Sequence, residues 1–335
     1  MISKLKFFKE EERVSLRDPC RNLALEKYLT FHVPEGECIL YLWQNRRTVV
    51  IGKNQNAWKE CRVSELKADG GTLVRRLSGG GAVYHDAGNL NFTFCVRKPD
   101  YDVSRQLEVI LKAVRGLGIP AGKSGRNDLT VEGKKFSGNA FYTSGEFCYH
   151  HGTILLDVDQ EAMDRYLNVS AKKLQARGVD SVRSRVINLK KYCPQITCEQ
   201  LSKQLIRSFS DVYGLPVEEF SENLLDEEEI LRDTGFFASE AWIFGRKLPF
   251  TRKLEERFSW GEVELLLDVD CGRVRDCICH SDAMDPDYIS ALAGRIKGCR
   301  YEKQELCSLF TEEAAGTGIH AEMAADILQL LEREL

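Results

Sequence analysis

Leu16, Leu23, Ala24, Leu25, Tyr28 and Leu29 recur at helical spacing behind the start signal Asp18-Pro19, which predicts a helix over 16–31. The period then shortens. Residues 38–43 and 48–51 are rich in β-formers, and the polar Gln44-Asn45-Arg46-Arg47 between them suggests a hairpin. Further strand candidates, 73–76, 82–84 and 90–96, surround a cluster of glycines. An amphipathic helix is predicted over 103–117, stopped by Gly118. Strands near 128–131, 135–142 and 147–157 and helices at 161–167, 197–213 and 226–233 complete the first part of the chain.

Near 245–259 the texture changes. Gly245-Arg246-Lys247-Leu248-Pro249 and the charged run from Arg252 to Arg257 suggest a linker. Beyond it lie two alternating strands, 260–269 and 273–279, joined by Asp270-Cys271-Gly272, and helices at about 286–297, 303–310 and 319–333. Many short strands sit in the first half, with helices interspersed rather than strictly alternating. That arrangement favours an α+β fold with a mixed or antiparallel sheet over a doubly wound one.

Composition adds boundaries. A 335-residue chain exceeds the size at which single cores stop growing, so a large domain with a smaller one attached is expected. A net charge of −4 gives no footprint for a nucleic-acid partner. No apolar run approaches the roughly 18 residues of a membrane span. The first residues lack the apolar stretch and cleavage site of a secretion signal, so a cytoplasmic location is expected. The 12 cysteines are scattered, mostly in apolar runs, and reduced thiols are expected. Cys277-Ile278-Cys279-His280 is the tight Cys/His group, where a metal site is conceivable although the spacing is unlike a zinc knuckle.

The chemistry concentrates in Arg75-Arg76-Leu77-Ser78-Gly79-Gly80-Gly81-Ala82-Val83-Tyr84-His85-Asp86. Three successive glycines cost backbone entropy, and their use would be a bare loop whose N–H groups face anionic oxygens. Two arginines entering that loop suit carboxylate or phosphate. Ordinary nucleotide fingerprints fail: Gly122-Lys123-Ser124 resembles the end of a P-loop, but Leu117 stands where its first glycine belongs. In Gly125-Arg126-Asn127-Asp128, polar Asn127 and Asp128 end a turn, and a tip at Glu132-Gly133 would bring Lys135 back beside them. Lys134 and Lys135 then face opposite sides, and Lys135, flanked by Phe136, is the better candidate for a partly buried amine. Of His150 and His151, alternation lets only one face the core side.

These blocks, with Gly88-Asn89-Leu90-Asn91, Lys135-Phe136-Ser137-Gly138 and His150-His151-Gly152-Thr153, resemble the ordered signature of lipoate–protein ligase A. The resemblance extends to Asn22-Leu23-Ala24-Leu25-Glu26, to 51–58 and 178–186, and into the second half through Arg257-Phe258-Ser259-Trp260-Gly261 and 291–299. It implies a catalytic domain over 1–247 with the biotin/lipoate ligase fold, a linker at 248–257 and a small α+β accessory domain over 258–335, as in the two-domain bacterial form. It implies an enzyme that joins lipoate or octanoate to AMP, releasing pyrophosphate. The acyl group then passes to the lysine of apo lipoyl domains, those of 2-oxoacid dehydrogenase acyltransferase subunits and the glycine cleavage H protein.

By the same resemblance Arg76, Gly81, Ala82, Val83, Tyr84 and Lys135 would bind ATP, with Lys135 catalytic. Lys135, Arg75, Ser78, Gly79, Gly80, His85, Asn89 and His151 would meet lipoate. Arg183 and Arg185 would belong to an adenylate-binding loop within 171–185, and Asp128 would be a partner of Mg2+. Leu77 departs from the small or polar residue common in the family. The runner-up is an ATP-independent octanoyl or lipoyl transferase working through a cysteine thioester, for which Cys148 and His150 would share a strand face. A biotin ligase is disfavoured, because no Gly-Arg-Gly-Arg-x-Gly loop occurs. A binding regulator without turnover would tolerate loss of Lys135.

Overall fold

The computed structural model describes residues 1–10, 18–124, 128–168 and 186–335. These form two compact units: Met1–Ile51, Ala57–Arg76 and Ala82–Ile243 in the first, and Gly52–Asn56, Leu77–Gly81 and Phe244–Leu335 in the second.

The first unit runs β1 (Lys4–Phe8), α1 (Pro19–Phe31), β2 (Glu37–Trp43), β3 (Thr48–Ile51), β4 (Thr72–Arg75), β5 (Val83–His85) and β6 (Asn89–Arg97). It continues with α2 (Val103–Arg115), β7 (Ala121–Ser124), β8 (Asp128–Val131), β9 (Lys134–Ser144), β10 (Phe147–Leu155), α3 (Gln160–Tyr166), α4 (Cys198–Tyr213), β11 (Val217–Glu219) and α5 (Glu227–Ala238). Eight strands form one mixed sheet in the order β11-β1-β2-β6-β10-β9-β8-β7, and β4-β3-β5 form a second. The β11, β1 and β2 neighbours are parallel, and the rest of the large sheet is antiparallel. The fold is therefore α+β with a mixed sheet.

Local chemistry explains the main boundaries. Asp18 caps α1, accepting from the N–H groups of Cys20 and Arg21, with Pro19 in the first turn. Positions 16 and 17 of the expected helix lie outside the described residues. Thr197 and Gln200 form a reciprocal capping box at the start of α4, and Gly214 ends it in the left-handed conformation.

The expected hairpin of 38–51 is not formed, because β2 and β3 belong to different sheets. Its turn residues Gln44 and Asn45 are buried rather than solvated. Asn22 Nδ2 donates to Gln44 O (2.9 Å) and Asn45 Oδ1 (2.8 Å), pinning the connection to α1. The short strands β1, β7 and β11 escaped the pattern reading, being polar or only a few residues long.

Both faces of the large sheet are covered. Leu40, Leu42, Phe92, Phe94, Val96 and Cys148 pack with residues of α2 and α4 in one apolar core. The alternate residues Tyr41, Trp43, Thr93 and His151 are also buried, on the side of α1. The expectation that only one of the two histidines faces a core is thereby corrected. His150 and His151 point to opposite faces and are 0% and 7% exposed, because this sheet has two interiors.

The second unit contains β12 (Arg252–Phe258), β13 (Gly261–Asp270) and β14 (Arg273–Ser281), an antiparallel sheet in that order, followed by α6 (Pro286–Ile296), α7 (Lys303–Ala314) and α8 (Ile319–Glu334). Leu265, Leu267, Val274, Ile289, Phe310 and Ile327 centre its core. Most of the run expected as a linker is strand β12. Its charges pair across the sheet, as in Lys253–Glu264 at 2.8 Å, while Leu254 turns inward, so a charged sequence still makes a one-sided strand. No helix among the described residues is long and apolar enough to cross a membrane.

Candidate functional site

The β8–β9 hairpin turns through Glu132 and Gly133, both at positive φ (51° and 75°). It sends Lys134 to solvent and Lys135 inward. The Lys135 side chain is 21% exposed, and its ammonium lies 2.7 Å from Asp128 Oδ1. Gly138 makes room for it: a Cβ there would meet Lys135 Nζ at 2.5 Å and Cε at 2.6 Å. A flexible amine is thus held against bare backbone with one carboxylate beside it. Among the described residues no group of three or more His, Cys, Asp or Glu side chains is placed to hold a metal. Asp128 alone suits a magnesium ion that takes most of its ligands from substrate phosphates and water.

A second group lies beneath α1, where Asn22, Glu26 and Thr30, spaced four apart, are all buried. Glu26 Oε1 accepts from Thr93 Oγ1 and pairs with His151 Nδ1, each at 2.7 Å. Thr93 in turn accepts from Trp43 Nε1 at 3.1 Å. His85 is buried beside Trp43, with ring centroids 6.0 Å apart, and Asn45 Nδ2 lies 3.1 Å from its Nδ1. Burial pushes the His85 pKa down to about 3, reinforced by Arg76, so its ring is neutral. Asn89 Nδ2 donates to Asn91 Oδ1 at 2.8 Å on the same flank.

The two arginines of the motif part company. Arg76 is 5% exposed, and its Nη1 donates to Val50 O at 3.2 Å. Burial lowers its pKa to about 10, which leaves it cationic near neutrality, with Glu26 a compensating charge. Arg75 serves the end of the chain's first unit. Its Nε donates to Trp242 O (2.9 Å) and Ile243 O (3.0 Å), its Nη2 donates to Ile243 O (2.5 Å), and Trp242 Nε1 donates back to Arg75 O (2.8 Å). The guanidinium thus satisfies carbonyls at the end of the short helix Glu240–Phe244.

Ala82, Val83 and Tyr84 lie in the first unit, with Val83 and Tyr84 in β5 paired to β3. Asp86 braces the turn that follows, accepting from Gly88 N and Asp159 N, both at 2.8 Å. Ser78, Gly79, Gly80 and Gly81 belong instead to the second unit. There Gly80 N donates to Ala283 O at 3.0 Å, and a Cβ on Gly79 would stand 2.3 Å from that same oxygen. The close approach these glycines permit is therefore made, at least in part, to the protein's own backbone. Arg183, Arg185, the rest of 171–185 and Gly125-Arg126-Asn127 lie outside the described residues.

Cys148 and His150 share a strand face as expected but do not form a thiol–imidazole pair. Cys148 is fully buried, and burial raises its pKa. His150 places Nδ1 3.1 Å from Gln106 Oε1 and Nε2 2.9 Å from Asn139 Oδ1 among the rings of Phe92, Phe94 and Phe141. Burial takes its pKa to about 3. Cys277 and Cys279 are members of the second unit's apolar core, with burial raising both thiols, Cys277 to about 12. Sequence reasoning did not single out Thr93, read Asn45 only as part of a turn, and gave Glu26 and Gly138 no role beyond their place in the matched blocks. The available signal was a buried carboxylate in an apolar helix, Glu26 behind Leu23, Ala24 and Leu25.

Comparison with known proteins gives the family. Residues 18–210 match the lipoyl protein ligase A/B catalytic domain, and residues 247–331 match the bacterial lipoate protein ligase C-terminus. The fold is similar to P. falciparum LipL1 in complex with lipoate: TM-score 0.83 and 28% identity, covering 98% of this chain and 99% of that one. It is also similar to a bi-partite lipoate protein ligase from Thermoplasma acidophilum, described with its E2 lipoyl domain. That match has TM-score 0.62 and 26% identity over 74% of this chain and 99% of the other. A lipoate-protein ligase A bound with ATP shares the fold at 24% identity and TM-score 0.62, covering 73% of this chain and 99% of that chain.

Proposed function

This chain belongs to the lipoyl protein ligase A/B family and is a lipoate–protein ligase, and from that premise we propose an ATP-dependent, acyl-adenylate mechanism centred on Lys135. The observation that carries it is the Lys135 ammonium, held over Gly138 beside Asp128. In the first step a carboxylate oxygen of lipoate or octanoate attacks the α-phosphorus of ATP, and the bond to pyrophosphate breaks. Two anions must meet, so a positioned cation between them lowers the barrier. In the second step the amine of an acceptor lysine attacks the acyl carbon, loses a proton, and AMP leaves with the electron pair.

In this reading Arg76 and the backbone of Gly81, Ala82, Val83 and Tyr84 hold the nucleotide. His85, Asn89 and His151 meet the acyl group, as do Ser78, Gly79 and Gly80. Arg75 has carbonyl partners of its own, and we assign it to holding the end of the first unit. Mg2+, with Asp128 as its protein partner, would neutralise phosphate charge. Residues 1–247 would carry catalysis and 258–335 an accessory role, in the cytoplasm. Acceptors would be apo lipoyl domains of 2-oxoacid dehydrogenase acyltransferase subunits and the glycine cleavage H protein.

The test is the intact mass of an apo lipoyl domain incubated with the protein and lipoate or octanoate, with and without ATP and Mg2+. Acylation only in the presence of ATP is expected. Equal acylation without ATP, or a hydroxylamine-sensitive acyl group on Cys148, would return the transferase reading to first place.

A further inference from the structure

The buried layer under α1 contains a chain of hydrogen bonds whose direction is set at one end by a backbone carbonyl. A carbonyl only accepts, so Asn22 must turn Nδ2 toward Gln44 O, at 2.9 Å. The same Nδ2 lies 2.8 Å from Asn45 Oδ1, which therefore accepts. Tyr41 OH, 3.3 Å from Asn22 Oδ1, donates to it and agrees with this orientation. With its oxygen engaged by Asn22, Asn45 presents Nδ2 to His85 Nδ1 at 3.1 Å. That ring nitrogen must then be the lone-pair acceptor, and the proton of the neutral ring sits on Nε2. Among the described residues His85 Nε2 has no hydrogen-bond partner, although the residue is 3% exposed.

A buried N–H donor without an acceptor is rare, and it marks a place where something else accepts. Two more buried polar atoms without a partner among the described residues lie on the same flank, the acceptor Asn89 Oδ1 and the donor Asn91 Nδ2, in side chains 0% and 1% exposed. Trp43, the ring neighbour of His85, is paired with Asn91 across the β2–β6 ladder. The transverse row then continues Asn91, Thr153, Gly138. Gly138 is where the Lys135 ammonium lies, two strand spacings or about 10 Å from Asn91, on the same face of the sheet.

We propose that Asn22 and Asn45 are positioning residues that lock His85 as an Nε2–H donor, and that this donor, with the Asn91 amide, takes an oxygen acceptor at the acyl end of the bound substrate. The ligand half rests on the adenylating reading given above; the tautomer half does not. A neutral donor suits a carboxyl or carbonyl oxygen that must be oriented without being held as tightly as an ion pair would hold it.

The experiment is long-range proton–nitrogen correlation NMR on the full chain labelled with 15N-histidine, with His85→Gln identifying the His85 signals. The wild-type ring should carry its proton on Nε2 near neutral pH. Its Nε2 resonance should shift when a non-hydrolysable acyl-adenylate analogue is added. Asn45→Asp supplies a carboxylate that accepts from both sides, so the ring proton should move to Nδ1 and the analogue's Kd should rise at least about tenfold. A wild-type ring protonated on Nδ1 overturns the relay and needs no variant to fold. An Nε2–H ring whose signal ignores the analogue overturns the ligand assignment. A protein that transfers no acyl group to a lipoyl domain would instead overturn the proposed function, so the two failures are separable.

Discussion

The two faces of the large sheet are made by alternate residues of the same strands, yet they are chemically opposite. Toward α2 and α4, β6 turns Phe92, Phe94 and Val96, and the lone histidine there, His150, is bounded by amide oxygens and aromatic rings. Toward α1 the same strand turns Asn91 and Thr93, and His151 is bounded by the Glu26 carboxylate. Two histidines adjacent in sequence thus have different work. One fills an apolar core at the cost of staying neutral; the other belongs to a charged and hydrogen-bonded layer that continues toward Lys135. The lesson is that burial alone does not identify a structural residue in a sheet with two interiors. What covers each face decides.

The comparison breaks most sharply at Lys135. Lys135→Met should lower the rate of adenylate formation by about 10³-fold, whereas solvent-facing Lys134→Met should leave it nearly unchanged. Single-turnover pyrophosphate release measures both, and equal losses would refute the division. Next come adjacent residues on the two faces. Phe94→Ala should cost roughly 3 kcal/mol of stability in urea unfolding while activity per folded molecule is kept. Thr93→Val, which removes the hydroxyl between Trp43 and Glu26, should cost about 1–2 kcal/mol and also weaken acyl binding measured by calorimetry.

Acid sharpens the contrast further. His85 and His150 have pKa values near 3 in the folded chain, against 6.5 ordinarily. The unfolded chain therefore takes up their protons first. The stability these neutral rings contribute is whole above about pH 6.5 and drains away as pH falls toward 3. His150→Gln should make unfolding free energy less steep in pH over that range, and an unchanged slope would contradict the burial argument. The smallest effect is expected at Cys148→Ala: about 1–2 kcal/mol of stability, with the acylation rate unaltered in the lipoyl-domain mass assay.

Most elements of both units were legible as period and punctuation, because α1, α2, α4 and the strands β8, β9, β10, β13 and β14 have clear caps, turns or alternation. The Glu132-Gly133 turn that brings Lys135 to Asp128 was legible for the same reason: both partners lie within one hairpin. The hairpin expected at 38–51 failed because polar residues that look like a turn were recruited into a core. The α1 layer was invisible for want of locality. Glu26 meets Thr93 across 67 positions and His151 across 125, and no local pattern announces such a pairing. Arg75 shows the same want of locality, since a basic residue beside glycines suggests an anion, while the carbonyls it donates to stand 167 and 168 positions away.

The second unit is assembled from three separate stretches of chain, and that has a practical consequence for anyone cutting the protein in two. A truncation after residue 247 looks, along the sequence, like the removal of a tail. It would take away Ala283, whose carbonyl receives the Gly80 N–H, and Asp287, which pairs with Lys53 at 2.7 Å. The loops Gly52–Asn56 and Leu77–Gly81 would remain on the shortened polypeptide without the backbone they are built against. A faithful dissection has to supply residues 248–335 as a second chain, co-expressed to refold around those orphaned loops.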